Sequence, residues 1–348
     1  MIAAGGTGGH VFPGLAVADT LRASGWHVVW LGAESGMEAP LVAKRGYEMV
    51  AVKFSGVRGK GPLALLLLPL KLLLAFWQSA RAILARRPDV VLGMGGFMSF
   101  PGGMMAALLG RPLVIHEQNS VAGLANRVLA VVADRVLCAF PGALKGATHT
   151  GNPVRPEIAA VAEPDARYAG RSGPLRILVV GGSLGAKALN DTVPRALALI
   201  PREARPHITH QSGAQHADAL RQAYAAAGVV ASTLAFIDNM AAAYSEADLA
   251  VCRAGATTVA EIAAAGLPSI LVPFPHAVDD HQTRNARFLS DAGAAVLVPQ
   301  GEFTAERLAE LIGGFDRKRL LEMAARARSL GRPDATAAVA RACMELAP

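Results

Sequence analysis

Two strand–glycine–helix openings, about half a chain apart, limit what this 348-residue sequence can fold into. The first is GGTGGHVFPGLAVA, beginning at Gly5; the second is ILVVGGSLGAKALN, at 177–190. In each, glycines let the backbone turn sharply between an apolar strand and a helix. Around them, short apolar runs alternate with Ala- and Leu-rich stretches of helical spacing. Strands are expected at Val28–Leu31, Val90–Gly93, Leu113–His116, Arg135–Cys138, Leu175–Val180, Leu249–Arg253, Ser269–Val272 and Ala295–Val298. Helices are expected at Leu15–Ala23, Ala214–Ala227 and Arg317–Arg328. Alternating β and α implies parallel sheets covered by helices on both faces. The chain is therefore expected to be α/β, with two Rossmann-like doubly wound units. At roughly 100–200 residues per domain, the length suits two. GNPVRPEI at 151–158 reads as the start of a linker, which puts the domains at 1–155 and 156–332. The tail at 333–346 reads as one more helix that Asp334 could cap.

Composition narrows the function classes. Hydrophobic residues make up 52% and charged residues 18%, which excludes wholesale disorder. Thirty-four Lys and Arg against 27 Asp and Glu leave +7, an excess suited to a phosphorylated ligand, nucleic acid or an anionic membrane. Aromatic and basic residues do not interleave, so no nucleic-acid partner is expected. Three widely spaced cysteines, Cys138, Cys252 and Cys343, suit neither a disulfide framework nor a zinc module. The opening MIAAGGTGGH has no basic n-region and no apolar h-region, so no signal peptide is expected.

One segment stands apart. From Met49 to Pro88 there is no acidic residue but there are seven basic ones: Lys53, Arg58, Lys60, Lys71, Arg81, Arg86 and Arg87. Within it PLALLLLPLKLLLAFW, 62–77, is too short and too interrupted for a spanning helix, which needs about 20 apolar residues. It reads either as a buried helix of the first domain or as a leucine-rich surface that docks on anionic lipid.

A glycine turn after a strand lets backbone N–H groups reach a phosphate. The dinucleotide and NTPase fingerprints nevertheless fail. GGTGGH is not G-x-G-x-x-G, GMGGFM ends in Met98, and in GGSLGAKA the spacing to Lys187 is wrong and Ala188 replaces the Ser or Thr. Ser183 sits where its hydroxyl and the following amides could hold a diphosphate.

The polar constellations each admit a bland and a sharp reading. His10 opens the first helix from a glycine crossover at a strand's carboxyl end, where α/β sheets place ligands and an imidazole could take a proton from a hydroxyl. HEQNSVAGLANR, 116–127, either initiates a helix or lines a cleft, with Glu117 as a second candidate base and Asn119 as a sugar contact. In GATTVAEIAAAGLPSILVPFP, from Gly255, Glu261 either complements a helix dipole or accepts two ribose hydroxyls. HAVDDHQTRNA, 276–286, gathers His276, Asp279, Asp280 and His281 without a metal-ligand spacing. Gln282 is better read as a partner for sugar hydroxyls. No metal and no cofactor are expected.

Together GGTGGH, GGFMSFPGG at 95–103, HEQNSVAGLANR, GNPVR, VVGGSLGAKALN, the run from Phe236 to Pro275, and DDHQTRNA resemble the MurG family of N-acetylglucosaminyltransferases. That family is of the GT-B class, glycosyltransferase family 28, and completes lipid-linked peptidoglycan precursors. The resemblance implies two Rossmann-like domains facing across a cleft, with the last helix, 333–348, returning to the first. It implies transfer from UDP-N-acetylglucosamine to the C4 hydroxyl of undecaprenyl-diphosphate N-acetylmuramyl-pentapeptide, inverting the donor's α configuration. It places Thr7, Gly8, Gly9, Asn119, Arg155, Ser183, Ile237, Ala256, Thr257, Thr258, Val259, Ala260, Glu261 and Gln282 in the donor site. The second domain would bind the donor and the first the acceptor, with His10 ahead of Glu117 as base. A peripheral site on the cytoplasmic face of the bacterial inner membrane follows, held by the 53–87 segment. The alternatives are another GT-B enzyme on the same donor, such as a UDP-N-acetylglucosamine 2-epimerase, and a non-enzymatic nucleotide-binding or membrane-scaffold protein. Because the chain starts so close to Gly5, its first strand is expected to be short.

Overall fold

The computed structural model describes residues 1–54 and 66–347. Two compact units emerge: residues 1–155 with 334–348, and residues 156–333.

In the first unit the strands are β1 (Ile2–Ala3), β2 (Val29–Ala33), β3 (Glu48–Val52), β4 (Val91–Gly93), β5 (Leu113–Glu117), β6 (Arg135–Cys138) and β7 (Thr148–His149). They pair in the order β3-β2-β1-β4-β5-β6-β7, all parallel. Successive side chains point to opposite faces, and the sequence exploits this. Trp30, Leu92 and Val114 join one core, while Leu31, Val91, Leu113 and Ile115 lie on the other side. The first face is covered by α1 (Gly8–Ala23) and by the C-terminal helix Ala335–Met344, through Val11, Leu15, Leu21, Val339, Ala340 and Cys343. The C-terminal helix is also tied by Thr336, whose hydroxyl donates to the Val154 carbonyl at 2.8 Å. Asp334 occupies the N-cap position but makes no side-chain cap bond, contrary to the expectation from sequence. Its backbone is already in the right-handed helical region, where a capping side chain is poorly aimed. Beside β2 lies the short α2 (Glu38–Lys44).

The other face carries α3 (Leu68–Arg86), α4 (Ser99–Leu108) and α5 (Leu124–Leu129). The buried-helix reading of the leucine-rich run holds for one face of α3, and the other face is exposed. Ala75, Ser79, Ala82 and Ile83 of α3 are buried, whereas Leu70, Leu73, Trp77 and Leu84 are exposed. The helix outruns the segment marked by composition, reaching 19 residues with a mean hydropathy of 1.2, long and apolar enough to cross a membrane by those measures alone. Its buried stripe of small residues instead packs it against the sheet. Arg86 is paired with Glu48 at 2.5 Å, and Arg81 stacks over Trp77. Arg58, Lys60 and the start of the leucine run lie outside the described residues.

The second unit repeats the plan with β8 (Arg176–Val180), β9 (His207–Gln211), β10 (Ser232–Leu234), β11 (Leu249–Cys252), β12 (Ser269–Leu271) and β13 (Ala295–Leu297), ordered β10-β9-β8-β11-β12-β13 and again parallel. After two short helices, Pro156–Ala159 and Pro164–Tyr168, its main helices are α6 (Lys187–Leu199), α7 (Ala217–Ala226), α8 (Met240–Glu246), α9 (Ala256–Ala265), α10 (His281–Ser290), α11 (Ala305–Gly313) and α12 (Arg317–Leu330). Strand β9 escapes hydropathy because it buries polar groups. His210 Nε2 donates to Asn190 Oδ1 at 3.0 Å and Nδ1 lies 2.8 Å from the Tyr224 hydroxyl, which donates to it when burial keeps the imidazole neutral. The three cysteines are free and buried.

Burial pushes the His210 imidazolium down to about 3 and the fully buried His116 down to about 4. An unfolded histidine takes up its proton near 6.5. Between these values the unfolded chain binds more protons, so stability is complete above about pH 6.5 and falls as the pH drops. Urea unfolding from pH 7 to 4.5 is expected to lose up to ~1.4 kcal/mol per pH unit for each of these histidines. His210→Gln should remove one share of that slope, and an unchanged slope would contradict the assignment.

Candidate active site

Each sheet reverses its strand order once, at β1/β4 in the first unit and at β8/β11 in the second. Loops leaving the carboxyl ends of strands diverge at such a point and open a crevice. Thr7 to His10 stand at the first of these places and Ser183 with the start of the helix at Ala256 at the second, whereas Glu117, Asn119, Arg155, Ile237 and Gln282 come from other loops.

In the first unit, β1 feeds the turn 4–7 into α1 and β4 feeds 94–98 into α4. The two turns touch backbone to backbone: a Cβ on Gly96 (φ +76°) would lie 2.2 Å from the Gly5 carbonyl oxygen. Ser99 Oγ lies 2.7 Å from the carbonyls of both Ala3 and Gly95. Glu38, fully buried, accepts from Ala33 N at 2.8 Å and Gly6 N at 3.3 Å, pinning the first turn from the β2 side. Thr7 is the exposed N-cap of α1 and makes no side-chain cap bond; Gly8, Gly9 and His10 form the half-buried first turn. His10 Nδ1 lies 2.9 Å from Gln118 Oε1.

Strand β5 ends in Glu117, which is almost wholly buried. Its Oε1 accepts from Asn119 N at 2.9 Å and its Oε2 from Asn126 Nδ2 at 2.8 Å and Gly123 N at 3.2 Å. This carboxylate shapes the loop into α5 and leaves both oxygens engaged. Asn119, half-buried, follows it. Arg155, also half-buried, is the last residue of this stretch of the unit.

In the second unit β8 runs into the turn 181–186, with Ser183 exposed on it. Gly185 (φ +77°) lies against the next strand's end: a Cβ there would meet the Ser212 carbonyl oxygen at 1.8 Å. Asn190 Nδ2 donates to that same oxygen at 3.1 Å, so the His210 network holds the turn's support. From β11 the chain enters α9 through Gly255. Neither α6 nor α9, nor α1 in the other unit, has a side-chain cap, whereas α8, α11 and α12 are capped by Asn239, Thr304 and Asp316. The uncapped helices leave first-turn N–H groups for an anion.

Along α9, Ala256, Val259 and Glu261 are buried and Thr257, Thr258 and Ala260 half-buried. Tyr244 of α8 donates its hydroxyl to Glu261 Oε2 at 3.0 Å, orienting the carboxylate. Ile237 is buried in the segment leading to α8. Gln282 Oε1 accepts from Phe274 N at 2.9 Å, which turns its amino end outward as a donor. Among the described residues no group of three His, Cys, Asp or Glu is arranged to hold a metal.

Models of glycosyltransferase family 28 match both halves, its N-terminal domain over residues 1–138 and its C-terminal domain over 176–339. This chain belongs to glycosyltransferase family 28. A curated family 28 relative, the UDP-N-acetylglucosamine–N-acetylmuramyl-(pentapeptide) pyrophosphoryl-undecaprenol N-acetylglucosamine transferase of Cupriavidus metallidurans, is 62% identical over 347 residues, covering 100% of this chain and 98% of that protein. The crystal structure of Acinetobacter baumannii MurG matches with a TM-score of 0.87 at 43% identity, over 99% of each chain. The glycotransferase of kitacinnamycin, 19% identical, shares the fold with a TM-score of 0.72 over 100% of this chain and 98% of its own. The architecture is GT-B, as the resemblance implied.

Several residues that shape this family 28 site carry no signal in the sequence. Glu38 and Tyr244 come from elements outside the glycine turns. Arg253 donates to the Val272 and Pro273 carbonyls at 3.1 Å and stacks on Phe274, fixing the loop that holds Gln282. The glycine turn of the second unit offers a clean test. Gly182 (φ +91°) has nothing near a would-be Cβ, so Gly182→Ala should cost ~1–3 kcal/mol for conformation alone. Gly185→Ala adds a clash with Ser212 and should cost clearly more by urea unfolding. Equal losses would mean that the close backbone approach is not what requires glycine.

Proposed function

We propose that this family 28 chain transfers N-acetylglucosamine from UDP-N-acetylglucosamine to the C4 hydroxyl of undecaprenyl-diphosphate N-acetylmuramyl-pentapeptide, the step from lipid I to lipid II in peptidoglycan synthesis. The observation that carries this is full-length identity of 62% to an enzyme bearing that name. A second relative with the same name, from Aromatoleum aromaticum, reaches 65%. The epimerase alternative is left without support.

The first unit supplies the base and the acceptor contacts. His10 Nε2 takes the proton of the C4 hydroxyl as that oxygen attacks C1 of the donor sugar. The bond from C1 to the diphosphate oxygen breaks on the opposite face, so an α link becomes β. His10 is favoured over Glu117 because the oxygens of Glu117 are already engaged by N–H donors of Asn119, Gly123 and Asn126. Negative charge then builds on the departing diphosphate. In the second unit the turn at Ser183 and the uncapped N-termini of α6 and α9 stabilise it with fixed N–H dipoles. Glu261 accepts from the ribose hydroxyls, Ile237 reads the uracil through its backbone, Ala256 to Ala260 line the nucleotide, and Gln282 donates to the sugar. Thr7, Gly8, Gly9, Asn119 and Arg155 complete the donor set.

Exposed leucines on α3 give the protein a peripheral seat on the cytoplasmic face of the inner membrane. Fully burying a leucine side chain stabilises by roughly 1.5–3 kcal/mol, and basic residues beside anionic lipid add ~1 kcal/mol each. Lys71 and Arg81 lie on the same helix; Arg86 contributes less because Glu48 already pairs with it.

His10→Ala should lower turnover ~10²–10⁴-fold with little change in the donor KM, since a base acts in the transition state. Parental turnover would remove His10 from the chemistry. Glu261→Ala should weaken UDP binding ~10–100-fold by calorimetry, the loss of a hydrogen bond to a charged group; equal affinity would end its ribose role. Replacing Leu70, Leu73 and Trp77 by Ser should abolish sedimentation with phosphatidylglycerol vesicles while the circular dichroism spectrum stays native. Persistent vesicle binding would move the contact elsewhere.

A further inference from the structure

A one-way chain of hydrogen bonds ends at His10, and it starts from an atom whose role is not open to choice. The Gly151 carbonyl oxygen can only accept. His116 Nε2 lies 2.9 Å from it, so that nitrogen carries the hydrogen. His116 is fully buried, and burial keeps it neutral near pH 7, which leaves Nδ1 as a bare lone pair. Gln118 is buried as well. Its Nε2 lies 3.2 Å from that lone pair and 3.2 Å from the His116 carbonyl, two acceptors that call for the amino end of the amide. The carbonyl end, Oε1, therefore faces His10 Nδ1 at 2.9 Å. Reversing the amide would set an oxygen against a lone pair and another oxygen, and an amino group against His10.

The structure assigns to Gln118 the role of a positioning residue that locks His10 in the tautomer protonated on Nδ1, with Nε2 bare. Which imidazole nitrogen carries the proton is set by the bond the other one makes. Nε2 makes no hydrogen bond to any described residue, so it is the nitrogen left to take a proton. When it does, the Nδ1–H to Oε1 bond becomes charge-assisted and strengthens. Nothing is passed along the chain: an amide does not relay a proton, and His116 stays neutral. The glycine turn after β4 is shaped around this bond. Gly95 has φ +81°, and a Cβ there would lie 2.8 Å from His10 Nδ1 and 2.9 Å from Gln118 Oε1, in the space the bond occupies. The catalytic weight of the assignment rests on His10 being the base; the tautomer does not.

The test uses the full-length protein labelled with ¹⁵N and a long-range ¹H–¹⁵N imidazole correlation spectrum near pH 8, with His10→Asn identifying the His10 signals. The parent should show Nδ1 protonated and Nε2 bare; Nε2 protonated would overturn the proposal. Gln118→Leu removes the acceptor and should move the proton toward Nε2. It should also lower kcat about 10–100-fold, as loss of a histidine-orienting partner does, with the donor KM within about twofold. Gln118→Glu keeps an acceptor oxygen for Nδ1–H, and its other oxygen, protonated, donates to the His116 lone pair as the amino group does; it should restore the Nδ1–H signal and part of kcat. An unchanged tautomer or parental kcat in Gln118→Leu overturns the role. Should that variant fail to fold, the parent and Gln118→Glu spectra decide it. Full turnover in His10→Ala would refute the base while leaving the tautomer assignment to be read independently.

Discussion

Every strand in both sheets runs parallel, so every strand ends at the same edge and every following helix begins there. That one constraint gathers carboxyl-end loops and helix N-termini on one side of each unit. The order reverses at β1/β4 and β8/β11, where open α/β sheets place their ligands. Glycine turns keep the backbone bare at these two places. Gly96 against the Gly5 carbonyl, and Gly185 against the Ser212 carbonyl, are contacts that no side chain permits. The result in each unit is a glycine turn leading into a helix whose first turn has no side-chain cap.

Buried polar groups from neighbouring elements brace these turns. Glu38 anchors the first turn, Ser99 the ends of β1 and β4, and His116 with Gln118 the approach to His10. In the second unit His210, Asn190 and Tyr224 support the strand end on which Gly185 rests, Asn285 donates to the Ala254 carbonyl at 3.2 Å, and Arg253 secures the loop at Phe274. Buried polar groups of this kind are costly unless satisfied, so each network admits few arrangements. Both histidines meet that demand by staying neutral, which ties their protonation to the geometry they support.

The α/β class, the two doubly wound units and the glycine turns are visible in sequence because they rest on local signals: apolar runs, glycines and helical spacing. The strands that escape notice do so for physical reasons. β10 and β3 are edge strands with exposed positions, and β9 reads as polar because His210 and Gln211 find partners that only folding supplies. Helix α1 starts at Gly8, just before His10 and ahead of the helical spacing that begins at Leu15, because burial of Val11, Pro13 and Gly14 outweighs the weak propensity of glycine and proline. The leucine run reads ambiguously in sequence because α3 has two faces, one of small residues against the sheet and one of leucines facing out.

Sequence alone determined which residues could do chemistry, since His10, Glu117, Ser183 and Glu261 each stand beside a turn or helix start that local pattern reveals. Tertiary structure decided what surrounds each. Glu117 and His10 look alike as candidate bases until the fold surrounds one with N–H donors and sets a single carbonyl oxygen beside the other. The partners responsible, Asn126 for Glu117 and Gln118 for His10, are fixed by packing between elements distant in the chain, and hydrogen-bond direction is a property of that packing rather than of residue order.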